Sequence, residues 1–247
     1  MSQPLFYVAM SGLNATTDRM TATANNLANA NTTGFKAQQP VFHALPLYGS
    51  GLPDRVSVQT AEDSANFKSG PIEQTGRNLD VAVKGDGWIA VQAPDGSTAL
   101  TRNGSLSISA TGMLQTSDGN PVLGQGGAAI SLPPMQSVTI GEDGTISGVP
   151  QGQRPDAVTT LNRIMLTNPQ TSQLKRRGDG LFQDQTGQPA PDAKVRVQVG
   201  ALEGSNANPV SLMMSMIENT RMFQMQTELV HMTLTQGQGQ SSPLTLN

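Results

Sequence analysis

His43 and His231 are the only imidazoles in the chain, so histidine-based acid, base or metal chemistry would have to run through them. Neither has a partner at metal-ligand spacing such as H-E-x-x-H. His231 also falls inside an apolar repeat, and both read as structural or solvent-facing residues. Ser172-Gln-Leu-Lys175 fits S-x-x-K, and Lys68-Ser69-Gly70 faintly matches K-T-G, a pair that could serve a serine acyl-enzyme. Their order is the reverse of what that chemistry uses, and short matches with two fixed positions arise by chance. No G-x-S-x-G, G-x-G-x-x-G or Walker A pattern is present, and the absence of cysteine removes disulfides, thiolate nucleophiles and Cys-ligated metals. Lys175, Arg176 and Arg177 form the only basic run, ahead of Gly178-Asp179-Gly180, and read as a solvated hairpin rim, with contact to an acidic neighbouring subunit as the functional alternative. The expectation is therefore no catalytic, cofactor-binding or metal-binding residue.

Composition narrows the partners. With 15 basic against 18 acidic residues the formal net charge is −3, which leaves no basic footprint for nucleic acid. The first residues lack a basic leader followed by an apolar run, and no uninterrupted apolar stretch approaches a membrane span, so the reading is a chain that inserts in no membrane and is exported, if at all, without a cleaved signal peptide. The sequons at Asn14, Asn31 and Asn103 carry little meaning without a secretory signal. At 247 residues the chain can bury a sizeable core.

The elements that position these residues change character along the chain. Phe6, Leu13, Met20 and Leu27 recur every seven residues, with Met10 and Ala24 four beyond two of them, which predicts a helix from about Pro4 to Ala30 with a packing stripe. Met213, Met216, Thr220, Phe223, Thr227, Val230 and Leu234 alternate three and four apart, and Leu212, Ile217, Met222, Met225, Leu229 and Met232 widen the apolar surface beyond what one partner covers. The tail after Leu234 loses this period and is expected to be mobile. From Leu79 onward the period becomes two, with Asp86-Gly87, Asp95-Gly96, Asn103-Gly104, Asp118-Gly119 and Asp143-Gly144 read as hairpin turns. Val195, Val197 and Val199 alternate in a final strand, and Trp88 reads as a core anchor. The fold class is α+β, mainly β: residues 1–36 and 205–247 form a discontinuous helical domain, 37–78 an extended connector, and 79–204 a β-rich domain.

ANNLANANTTGFK, residues 24 to 36, concentrates four asparagines and two threonines after that helical period. Gly34 is expected in the left-handed conformation that ends a helix, with Asn and Thr side chains satisfying freed backbone groups.

This stretch, with YVAMSGL at 7–13, resembles the signature A-N-N-x-A-N-x-x-T-x-G-[FY]-[KR] of the bacterial flagellar rod, hook and hook-associated family. Ala24, Asn25, Asn26, Ala28, Asn29, Thr32 or Thr33, Gly34, Phe35 and Lys36 fill its fixed positions. LDVAVKGDGWIAVQ at 79–92, ALTRNGSLSISATGMLQTSDGNPVLG at 99–124 and VQVGALEGSNANPVSLMMSMIENTRMFQMQ at 197–226 are similar to its β-module and C-terminal motif. The opening, the length and the L-E-G-S-N-x-N-P junction are most like those of proximal rod members, with distal rod or hook-type members as the alternative. Ser211-Leu212-Met213-Met214 departs from relatives that carry an acidic residue after N-P-V.

The resemblance implies a non-enzymatic structural subunit that self-associates and meets neighbouring rod subunits. It also implies passage through the flagellar type III export apparatus and a place in the basal-body rod across the periplasm. In its terms Phe6, Met10, Leu13, Met20, Ala24 and Leu27 pack subunits, and Asn25, Asn26, Asn29, Thr33, Gly34 and Phe35 shape the helix exit. Leu202, Glu203, Asn206, Asn208, Met213, Met216, Ile217, Arg221, Phe223 and Val230 form the C-terminal junction and helix packing. A monomeric periplasmic binding module, with both helices closed on their own domain, is the much weaker alternative.

Overall fold

The computed structural model describes residues 3–46, 56–187 and 189–239. The chain divides into two units. One holds residues 1–28, 38–65 and 208–247, the other residues 29–37 and 66–207.

The first, helical unit contains α1 (Gln3–Ala28), β1 (Gln38–Pro46), β2 (Val56–Ala65) and α2 (Pro209–Gly239). α1 ends two residues before the expected boundary. α2 runs five residues past Leu234, so the part of the tail that is described is helical; residues 240–247 lie outside the described residues. Asn208 caps α2: its Oδ1 accepts from the backbone N–H of Val210 at 3.0 Å and Ser211 at 3.2 Å, with Pro209 as the first helical residue. The expected connector over 37–78 is divided instead. Its first part is a long antiparallel hairpin pairing Gln38 with Ala65 through Pro46 with Val56, interrupted by a bulge after Pro40, and it belongs to the helical unit. Irregular spacing around that bulge and three prolines hid the strand period from a sequence reading.

The β-unit is antiparallel throughout. Strands β3 (Ile72–Gln74), β4 (Val81–Lys84), β5 (Trp88–Gln92), β6 (Thr98–Thr101), β7 (Leu106–Ile108) and β8 (Leu114–Thr116) come first. β9 (Met135–Ile140), β10 (Thr145–Pro150), β11 (Thr159–Arg163) and β12 (Leu166–Thr167) follow, then β13 (Leu174–Arg176), β14 (Phe182–Asp184), β15 (Arg196–Val199) and β16 (Ala201–Glu203). A five-stranded sheet of order β12-β5-β6-β14-β13 and a three-stranded sheet β11-β10-β9 are accompanied by the two-stranded pairs β15-β4, β16-β3 and β7-β8. Val81, Val83, Ile89, Val91, Leu106, Leu114, Ile130, Ile146 and Val197 are buried at the centre. Val195 and Val197 point into this core as expected, and Trp88 packs against Phe67 and Phe182 with ring centroids 5.9 and 4.8 Å away.

Asp95-Gly96 closes the β5-β6 hairpin and Asp143-Gly144 the β9-β10 hairpin, both glycines having positive φ. Asn103-Gly104 does not close a hairpin, because β6 pairs with β14 rather than β7. Gly104 is required there for another reason: a Cβ would collide with the carbonyl of Val81.

Candidate functional site

The β-unit buries a charged group of three. Lys36 Nζ lies 2.7 Å from Glu203 Oε1, and Arg102 Nη1 lies 3.0 Å from Glu203 Oε2, with the three side chains no more than 3% exposed. The remaining hydrogen-bonding capacity is largely taken up by backbone. Lys36 donates to Lys68 O, the Gly70 N–H donates to Glu203 Oε1, and Arg102 donates to Gly85 O. The Arg102 guanidinium also stands 5.3 Å from the centre of the Trp88 ring. Burial pushes the Lys36 ammonium below its ordinary pKa, against the pull of the Glu203 carboxylate.

Residues 29–37 are threaded through this group. Gly34 has φ +70° and donates its N–H to Glu203 O at 2.7 Å. A Cβ on Gly34 would fall inside the backbone of Arg102 and Asn103. It does not end the helix as expected, since it lies six residues beyond Ala28; the positive φ serves close backbone approach instead. Asn29 accepts from Thr32, and Arg176 donates to Lys36 O at 2.7 Å while standing 4.7 Å over the Phe35 ring. Asn206 accepts from Ala37 N and donates to Asn66 O and Lys68 O. Thr33 is half-buried, and Leu202 sits in β16 opposite Glu73. The basic run is thus no uniform solvated rim: Lys175 is exposed, but Arg176 is tied to the 29–37 segment and Arg177 pairs with Asp95 and Asp179.

In the helical unit, Asn26 clamps the start of β1 with two bonds, its Oδ1 accepting from Gln38 N at 2.7 Å and its Nδ2 donating to Gln38 O at 2.9 Å. Asn25 is exposed on the same turn. The helix pair corrects the expected stripe. Where side chains of this unit are described, those buried are Ala15, Thr16, Ala22, Thr23 and Asn26 on α1 and Ala65 on β2. Met10, Leu13, Met20 and Leu27 are only half-buried and Ala24 is exposed. At about 100° per residue that stripe lies roughly a quarter turn from the α1 seam that meets α2. Phe6 lies in α1, with its side chain outside the described residues.

On α2 the half-buried residues Leu212, Met216, Asn219, Phe223, Gln226 and Val230 share the face toward α1. Val210, Met213, Met214, Ile217, Met225 and Met232 are about half to two-thirds exposed on the far side, around the exposed Arg221. His43 and His231 are exposed. Ser172, on a short 3₁₀ turn, borders a shallow pocket of about 420 Å³ whose wall also carries Asp86, Trp88 and Arg102.

Family models match three segments: "Flagella basal body rod protein" over residues 6–36, "Flagellar hook protein FlgE/F/G D1 domain" over 82–148, and "Flagellar basal body rod FlgEFG protein C-terminal" over 198–233. The flagellar basal-body rod protein FlgF of Salmonella typhimurium is 39% identical over 231 residues, 91% of this chain and 91% of its own length, and FlgF of Escherichia coli matches to the same extent. The chain belongs to the flagellar basal-body rod protein family. Within it the chain is FlgF-like; a FlgG from Buchnera aphidicola subsp. Schizaphis graminum is 29% identical over 92% of this chain and 95% of its own.

The three matched segments of the rod family each supply one member of the buried group: Lys36, Arg102 and Glu203. Sequence reasoning singled out Glu203 and the Lys36 position of the signature, but not Arg102, and it read Arg176 only as part of a basic hairpin rim. The signal available for Arg102 was a lone arginine at the end of an apolar strand, and nothing local says what it meets.

Proposed function

We propose that this chain is a structural, non-enzymatic subunit of the bacterial flagellar basal-body rod, most like the proximal rod. It assembles helically with its own copies and neighbouring rod subunits through α1 and α2, transmits torque and encloses the export channel. It reaches the periplasm-spanning rod through the type III export apparatus, and uses no cofactor or metal. Phe6, Met10, Leu13, Met20, Ala24 and Leu27 on α1 and Met213, Ile217 and Arg221 on α2 meet neighbours, while Met216, Phe223 and Val230 close the pair within the chain.

The observation that carries this reading is the apolar face of α2 turned away from α1, with Met214 at 61% and Met225 at 60% exposure. Burial of such a face comes from other chains. The test replaces the native copy with an Ile217→Asp, Met225→Asp double variant. The purified variant should unfold within about 0.5 kcal/mol of the parent per surface substitution, yet cells should lose rods and swimming, because a carboxylate must be desolvated between helices. Normal rods and swimming would overturn the assignment.

A further inference from the structure

The seam between α1 and α2 is held by polar layers where an intrachain helix pair would ordinarily use Leu. Thr16, 2% exposed, donates to Gln226 Oε1 at 2.7 Å. One helical repeat further along α1, Thr23, 9% exposed, accepts from Asn219 Nδ2 at 3.3 Å and donates to Arg19 O at 2.7 Å. The members of each layer are seven residues apart on both helices and run in opposite order, so the two bonds fix one antiparallel stagger. Beside them on α1 lies Gly12, where a Cβ would meet the Gln226 amide at 3.5 Å, and the other buried apolar residues of α1 are Ala15 and Ala22. Small residues let the backbones approach and offer no shape of their own to choose a register.

We propose that the Thr16–Gln226 and Thr23–Asn219 layers are a register lock for the terminal helix pair, and that Gln226 and Asn219 are its positioning residues. A slip of one heptad in one direction still sets Thr16 beside Asn219 but strands Gln226 opposite Ala9 and Thr23 opposite Leu212. The opposite slip keeps Thr23 beside Gln226 and carries Asn219 beyond the end of α1. Each slip loses one bond; the first sets polar groups against apolar ones and the second leaves Asn219 without a partner on α1, the arrangement by which a polar layer specifies stagger at a cost in stability. A seven-residue slip leaves the half-buried stripe of α1 and the exposed face of α2 on the same sides of the pair and changes only how far along it they stand, which is what the lock fixes. It is a property of the single chain; only the assignment of those faces to neighbours rests on the rod reading.

The chain has no cysteine, so disulfides can report register without background. In the full-length protein, Gly12→Cys with Val230→Cys tests the observed stagger, and Gly12→Cys with Phe223→Cys tests the one-heptad slip. With the lock intact the matched pair should cross-link and the slipped pair should not. In a Gln226→Leu, Asn219→Leu background the ratio of slipped to matched product should rise about tenfold or more, while thermal protection of the helices is unchanged or greater, a combination that mere loss of packing would not give. Equal cross-linking of both pairs in the parent, an unchanged ratio in the Leu background, or no cross-link in any background would overturn the proposal. A raised ratio together with normal swimming would leave the lock standing and count against the rod reading alone.

Discussion

Ile89 and Leu100 of the β-unit are wholly buried, whereas Ile217 and Met225 of α2, side chains of similar size, stand more than half exposed. The contrast extends to polar groups. In the β-unit a lysine, an arginine and a glutamate are withdrawn from water into mutual contact; in the helical unit the buried polar residues are short Thr and Asn side chains bonding nearby backbone or a single partner. One unit has spent its apolar residues on its own interior, and the other holds them on its surface. Apolar burial at about 25 cal/mol per Å² stabilises chiefly the first, so the two should respond differently to the same kind of damage.

The largest effect is expected from Glu203→Leu. It leaves Lys36 and Arg102 buried without their carboxylate, and breaking a buried ion pair this way costs about 3–5 kcal/mol. Chemical denaturation of the purified variant should show that loss, in contrast to the near-unchanged Ile217→Asp, Met225→Asp variant, and equal losses for the two would erase the distinction between the units. Gly34→Val should come next. Its left-handed backbone alone costs about 1–3 kcal/mol for a side chain, and the collision with Arg102 adds to it; the same unfolding measurement would refute this if the midpoint stays put.

Asp95→Asn is the smallest. The Ser97 hydroxyl, and then Arg177, hold the Asp95 carboxyl well below the usual carboxylate range. A depressed folded pKa gives stability that is present above about pH 4 and lost as the pH falls further. The variant should therefore show a slightly shallower acid limb in its unfolding profile than the parent; a steeper one would contradict the assignment.

Part of the hairpin ladder was readable because Asp-Gly states its own local geometry, as at Asp95-Gly96 and Asp143-Gly144, but Asp86-Gly87 misled, since β4 pairs with β15 and β5 with β6 and β12. Asn103-Gly104 looked the same and was not a hairpin, since its glycine answers to the distant Val81 carbonyl. The two terminal helices were readable from period, but the face that pairs them was not. A search for recurring apolar residues finds Met10, Leu13, Met20 and Leu27, while the contacts of α1 with α2 run through Gly12, Thr16 and Thr23, residues that carry little weight in such a search. Glu203 and Lys36 could be found as motif positions, yet their meeting depends on strand order, which no local pattern encodes.

Glu203 lies 167 residues after Lys36 and 101 after Arg102 along the chain. A polypeptide cut short before that glutamate, by a stalled ribosome or a nick, carries two ammonium-type charges that no interior will accept, so the β-unit stays open and pliable. Completeness of synthesis thus becomes a condition for closure, and unfinished copies remain open to proteolysis rather than competing with finished ones.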